Sequence, residues 1–312
     1  MSVNGIFDAG RFLPLNLHPH PSAERECGRI RGVKISMMKW AEFIKLEHTV
    51  FALPFALAAM FTAAGGMPTV RVFAGVLTCL VGARTAAMAF NRLADWQIDV
   101  RNPRTAARST LVTKTAAWIT VIAGVGGLVG GAWFLNPLCL VLSPLATGIV
   151  SFYSLTKRFT WASHGFLGLA LGTAPVGAWL AVTGRFNSWA PIVLGSAVGL
   201  WVAGFDTIYS LQDREFDRKE GLFSFPARFG ERAALQVAGG LHCLAWFFLG
   251  LFGQLAALGW RYNLAWVAAG GVLIGETIWA RKERDRQKAF FQANALVSLL
   301  VLGGVVWEIF GR

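Results

Sequence analysis

The chain has 312 residues, 55% of them hydrophobic and only 15% charged, with a net charge of +12. Its mean hydropathy is +0.51, and apolar runs of about 20 residues, the length a bilayer crossing needs, recur along it. That excludes an ordinary soluble domain, and no nucleic-acid motif accompanies the basic charge.

In chain order, residues 1–35 are polar, carry Pro14, Pro19 and Pro21 and lack an apolar core segment. They are expected to form a mobile cytoplasmic tail rather than a cleaved signal peptide, with the transmembrane domain spanning 36–312. The basic stretch from Arg25 to Lys45 suits anionic lipid head groups. Apolar runs then predict about nine spans, near 41–64, 70–94, 115–134, 138–155, 163–182, 189–210, 233–257, 262–280 and 289–310. The fold class is therefore an all-α bundle of about nine transmembrane helices. The four cysteines and five histidines show no metal-ligand spacing. Gly126–Gly130 and Gly127–Gly131 are small-xxx-small pairs that suit close helix packing, within the chain or against a second copy. Trp40, Trp189, Trp260 and Trp307 fall near span ends, as an aromatic belt does.

The cations set the orientation. With alternate loops assigned to opposite sides, one side collects 24 Lys and Arg and the other 4, with Arg84 left inside a span. The richer side is cytoplasmic by the positive-inside rule, and it holds the N-terminus and both acidic pairs described next.

Two acidic pairs, Asp95–Asp99 and Asp213–Asp217, close the second and sixth apolar runs on that side. If the helices continue through them, Arg84, Met88, Asn91, Asp95 and Asp99 share one face, and Asp206, Tyr209, Asp213 and Asp217 share another. Ionisable groups inside a span cost at least roughly 2.5–3.5 kcal/mol each, so these faces are expected to line a wet cavity. Two carboxylates at i and i+4 repel on a helix, and a divalent cation between them reverses the sign. Carboxylate, amide and phosphate oxygens are the ligands Mg²⁺ takes. The plainer reading is a solvated helix end compensated by nearby arginines such as Arg92, Arg101 and Arg214.

The segments NRLADWQIDVRNPRTAAR (91–108) and DTIYSLQDREFDRKEGLFSFPARFG (206–230) resemble the two aspartate-rich motifs of the UbiA-type membrane prenyltransferases. Within that family the chain resembles the bacterial 4-hydroxybenzoate polyprenyltransferase-like branch. FIKLEHTVFALPFALAAM (43–60) and FYSLTKRFTWASHGFLGLALGTAPVGAW (152–179) extend the likeness over residues 40–310. The resemblance implies that Asn91, Asp95, Asp99, Asp213 and Asp217 hold Mg²⁺ and through it the diphosphate of a polyprenyl donor. Tyr153, Lys157 and Arg158 match a family segment that faces that diphosphate, and Tyr209 matches a motif position. It also implies a multi-pass protein of the bacterial inner membrane. One departure is the stretch after Arg108, where Ser109-Thr-Leu-Val-Thr113 replaces the family's Pro-Leu-Pro-x-Gly-like turn.

The residues suit the implied chemistry. An allylic diphosphate leaves when metal and cations stabilise its charge, without a protein nucleophile. Lys157, Arg158, Arg108 and Arg214 are candidate cations. Arg84 is the best-placed cation at depth for the carboxylate of an aromatic acid, or else a partner for Asp206 or another buried acid. Lys45, Glu47 and His48 are weaker candidates, and Glu276 either lines the cavity or caps a polar pocket. The expected reaction is polyprenyl transfer to 4-hydroxybenzoate in ubiquinone-type quinone synthesis. A dihydroxynaphthoate of menaquinone synthesis is the alternative acceptor. A proton- or ion-coupled transporter is the alternative of another class, although transporters usually place their sites near the midplane.

Overall fold

The computed structural model describes residues 40, 42–43, 49–107, 111–282 and 289–311. The candidates Lys45, Glu47, His48 and Arg108 lie outside them, as does the expected tail over 1–35. Among the described residues there is no strand. Within the described residues nine long helices follow the apolar runs: α1 Thr49–Ala64, α2 Val70–Ala94, α3 Lys114–Leu135, α4 Pro137–Thr156, α5 Ser163–Thr183, α6 Ala190–Tyr209, α7 Phe225–Leu255, α8 Trp260–Trp279 and α9 Asn294–Phe310. Seven of the described helices are long and apolar enough to cross a bilayer. The other two are α1, whose described part is apolar but shorter than a full crossing, and α8, whose run is diluted by Arg261, Asn263 and Glu276. The chain is thus a multi-span membrane protein.

Local chemistry explains the boundaries. Thr69 and Thr113 cap α2 and α3 through their hydroxyls, which accept from Val72 N–H and Ala116 N–H. Asn136 caps α4 in the same way, and Pro137 follows at the first helical position, where its missing N–H costs nothing. Gly184 ends α5 in the left-handed conformation at φ 64°. The start of α7 is the main difference from expectation. It begins at Phe225, eight residues before the predicted 233, and contains a break at Gly230, where φ is 86° and ψ 173°. Only glycine takes that conformation without strain, so a first turn carrying Arg228 precedes the membrane-crossing part.

In lipid the helices gain little from hydrophobic contact, and close backbone approach with dispersion replaces it. At the α5–α6 contact a Cβ on Gly168 would stand 2.1 Å from the Gly199 carbonyl oxygen, and one on Gly172 would stand 2.5 Å from that of Gly195. The α2–α3 contact closes the same way on Gly82 and Gly124. Of the glycine pairs noted above, Gly131 abuts Cys79 and Gly127 approaches Gly82, whereas Gly126 and Gly130 face open space. The expected internal packing therefore holds for one edge of α3. Trp189, Trp260 and Trp307 lie at helix ends and are well exposed, as an interfacial belt requires.

Helices α5 and α6 pack tightly together, α1 lies on α5 and α9, and α7 on α6 and α8. Helices α2, α3 and α4 pack on one another and reach α5. Between the two groups lies a cavity walled by α1 through α6.

Candidate active site

The cavity holds about 420 Å³ and carries all four motif aspartates at one end. Its α2 wall runs from Val76 to Asp95, nineteen residues and about 28 Å of helical rise, close to the thickness of the hydrocarbon core. Away from the aspartates it is apolar, lined by Phe51, Leu128, Leu135, Leu142, Leu171 and Leu180.

Both acidic motifs share one backbone device. Helix α2 does not continue through the first pair but stops at Asp95, with φ −91° and ψ 9°, and a six-residue helix, Trp96–Arg101, restarts there carrying Asp99. After α6 the chain tightens into a 3₁₀ turn, Ser210–Asp213. Asp213 then adopts φ −99° and ψ 0°, and a second six-residue helix, Arg214–Lys219, carries Asp217. The aspartate before each short helix lies in the sparsely populated bridge region, where active-site residues are often found. Despite the breaks, Arg84, Met88, Asn91, Asp95 and Asp99 still face the cavity, and so do Asp206, Tyr209, Asp213 and Asp217.

Around the first pair, Asn91 Nδ2 donates to Asp95 Oδ2 at 3.2 Å. Arg158 Nη2 donates to Asp95 Oδ1 at 3.1 Å and to the Ala94 carbonyl at 2.7 Å, crossing from the end of α4. Burial raises the Asp95 carboxyl above its ordinary pKa, and Lys157 and Arg158 only partly oppose it. Asp99 is buried 3.6 Å from Arg92. Lys157, just past α4, faces both motifs. Its burial favours the neutral amine, but Asp217, Asp206, Asp95 and Asp213 together outweigh that and raise its pKa.

The second pair is gripped by the loop that follows the first. Asn102 Nδ2 donates to Asp213 Oδ1 at 3.0 Å, and Arg104 Nε donates to the same oxygen at 2.8 Å. Arg104 Nη2 closes a bidentate pair on Asp213 Oδ2, and its Nη1 donates to the Tyr209 hydroxyl at 3.0 Å. The guanidinium also lies 5.4 Å from the centre of the Tyr209 ring. Asn102 and Arg104 were missed in the sequence, where Arg104 counts as one more cytoplasmic cation. The signal available was their place inside the first motif segment, three and five residues past Asp99.

The candidates separate clearly. Asn91, Asp95, Asp99, Asp213, Asp217, Arg84, Tyr153, Lys157, Asp206 and Tyr209 line the cavity, and Arg158 reaches it through Asp95. Arg214 is not in the wall and sits near Glu215; Arg92 and Arg104 stand in the wall instead. Asp206 pairs with His164, whose Nδ1 lies 2.6 Å from Asp206 Oδ2. The histidine went unnoticed because its partner is 42 positions away. Glu276 is fully buried and accepts from Asn294 Nδ2 at 2.8 Å outside the cavity wall, so it caps a polar pocket.

The donors at this end are hard oxygens of the kind Mg²⁺ prefers. Asp217 Oδ2 is buried without a hydrogen-bond partner, an orphan that a cation would satisfy. Among the described residues no three His, Cys, Asp or Glu side chains are gathered closely enough to hold an ion as arranged. Arginines stand against Asp95, Asp99 and Asp213 instead.

The sequence profile of the UbiA prenyltransferase family matches residues 52–300. The chain belongs to that family. It is 32% identical over 277 residues to the 4-hydroxybenzoate octaprenyltransferase of Cupriavidus pinatubonensis, covering 85% of this chain and 95% of that protein. It is 31% identical over 291 residues to that of Stutzerimonas stutzeri, covering 91% and 96%. Among solved structures, the apo UbiA homolog of Aeropyrum pernix K1 is 34% identical with a TM-score of 0.76, covering 83% of this chain and 97% of that one. A UbiA homolog of Archaeoglobus fulgidus, bound to GPP and Mg²⁺, shares the fold at 18% identity and a TM-score of 0.63, covering 87% and 99%. The family is one of prenyltransferases, and the cavity with its two aspartate motifs is the candidate site for that activity.

Proposed function

We propose that this protein transfers a polyprenyl group from polyprenyl diphosphate to 4-hydroxybenzoate, the acceptor named for its bacterial relatives. One observation carries the reading. Two aspartate pairs on matching broken helix ends share the mouth of a deep apolar cavity, which joins a polar place for a diphosphate to an apolar place for its tail. A transporter is disfavoured because these acids cluster at one end and not at the midplane.

Asn91, Asp95, Asp99, Asp213 and Asp217 would hold Mg²⁺. When bound, the metal would neutralise charge developing on the leaving diphosphate. Lys157, Arg158, Arg92 and Arg104 supply positive charge at the same mouth and orient the phosphate oxygens. The apolar wall receives the isoprenoid and keeps water from the allylic carbon. Arg84 lies eleven residues before Asp95, and Asp206 seven before Asp213. By helical rise Arg84 is therefore roughly 4–6 Å the deeper of the two. That offset resembles the separation of carboxylate and hydroxyl across a para-substituted ring, so Arg84 would bind the acceptor's carboxylate. The cation count puts this mouth and the N-terminus in the cytoplasm.

The test uses membranes containing the full chain, a labelled polyprenyl diphosphate, Mg²⁺ and either 4-hydroxybenzoate or a dihydroxynaphthoate. Prenylated 4-hydroxybenzoate is expected, and its loss on addition of EDTA. Absence of any prenylated aromatic product, or equal product with EDTA present, overturns the reading. Asp95→Asn and Asp213→Asn are each expected to lower turnover at least about a hundredfold; normal turnover in both refutes the metal assignment alone.

A further inference from the structure

His164 opens the first turn of α5 and is buried, its side chain 4% exposed. The Phe225 backbone N–H, at the start of α7, donates to its Nε2 at 3.4 Å. A backbone N–H can only donate, so Nε2 carries no proton and the neutral ring holds its proton on Nδ1. Ser210 Oγ, 3.5 Å from Nε2, gives its own proton to the Thr207 carbonyl at 2.8 Å. Nδ1–H therefore donates to Asp206 Oδ2, 2.6 Å away. That bond requires Asp206 to be the acceptor, with its carboxylate held in one orientation. Asp206 lines the cavity, and its side chain remains 22% exposed there. The contrast with the metal-motif acids is chemical: Asp95, Asp99 and Asp213 face arginines, whereas Asp206 faces an imidazole. The imidazole N–H fixes the direction of the Asp206 carboxylate through one oxygen, whereas the Arg104 guanidinium occupies both oxygens of Asp213.

We propose that Asp206, oriented by His164, accepts the hydroxyl proton of the aromatic substrate as its ring attacks the prenyl carbon. Asp206 is then a catalytic residue and His164 its positioning residue. This rests on the aromatic-prenylation reading above. As the allylic carbon–oxygen bond breaks, its electron pair leaves on the diphosphate. The ring carbon beside the hydroxyl forms the new carbon–carbon bond while the hydroxyl proton passes to Asp206. The resulting dienone loses its ring proton to water and regains a hydroxyl proton from Asp206. The net products are prenylated acceptor, diphosphate and one proton.

The dyad is tested with purified full-length His164→Leu, His164→Asn and Asp206→Asn, each checked for a monodisperse peak in detergent. The acceptors are 4-hydroxybenzoate and its more acidic 3-fluoro analogue. His164→Leu and Asp206→Asn are expected to lose at least about tenfold in kcat/KM for 4-hydroxybenzoate, with the KM for polyprenyl diphosphate within about twofold of wild type. The loss should narrow on the fluorinated acceptor, whose phenol needs less help to give up its proton. His164→Asn, which places an amide N–H near the position of Nδ1, should recover much of the activity. Equal losses on both acceptors, a parallel rise in the KM for the diphosphate, or no loss in either His164→Leu or Asp206→Asn overturns the inference. Should His164→Leu fail to fold, Asp206→Asn and His164→Asn carry the same comparison. A wild-type protein that prenylates neither acceptor overturns the parent reading instead, so the two failures are distinct.

Discussion

Arg158 shows how one residue ties the mouth of the cavity together. It spans from Ser154 on its own helix to the Ala94 carbonyl and Asp95 Oδ1, so it neutralises the acid and caps the end of α2 at once. The consequence for pH has a definite sign. Burial raises the Asp95 carboxyl, and Arg158 is one of two cations holding it down. A carboxylate with a raised pKa is lost early as pH falls, so the acidic limb of the activity profile reports on it. Arg158→Gln removes an opposing cation, raises the carboxyl further and should move that limb to higher pH. A pH–rate profile with the limb unmoved, or moved to lower pH, contradicts the assignment. The single-residue chemistry was largely legible in the chain: the aspartates, Asn91, Tyr153, Lys157 and Tyr209 all face one cavity. Arg104 and His164 were not, because a salt bridge and a hydrogen bond to acids more than 40 positions away leave no periodic trace.

At the scale of elements, the positions of α2 through α6 follow from apolar length and from the caps at Thr69, Thr113, Asn136 and Gly184. What length could not reveal is the stop at Asp95 and its counterpart at Asp213, since i, i+4 spacing is equally compatible with a continuous helix. The contact between α5 and α6 is held by glycine backbones and not by side chains. Gly168→Ala forces a Cβ against the Gly199 carbonyl and should destabilise the protein by about 1–3 kcal/mol. Gly165→Ala, on the same helix with nothing near, should be neutral or slightly stabilising. Thermal unfolding in detergent checks the pair. Equal midpoints for the two variants would show that the glycine contact does not hold the helices.

For the whole molecule, the asymmetry of cations predicts which way the bundle sits. A cysteine placed at Arg185, in the turn after α5, should label with a membrane-impermeant maleimide from outside intact cells. One at Glu220, beyond the second acidic motif, should label only after permeabilisation. The reverse pattern inverts the topology and places the proposed diphosphate site on the wrong face. The same arrangement makes the enzyme a lipid-facing one: α2 through α5 carry large apolar side chains outward, among them Val70, Ile122, Trp133, Val141 and Leu169.

The sequence by itself determined the solvent, the class of fold and the acids that gather at the cavity. Bilayer thickness, the cost of charge in lipid and the ligand chemistry of carboxylates each act on local stretches of chain. Only the tertiary structure decided how those acids are held. It broke both motif helices at matching points, set Arg104 from one motif on Asp213 of the other, and gave Asp206 to His164. Such pairings depend on which helices stand side by side, and backbone approach at glycines, a property of three-dimensional packing, settles that.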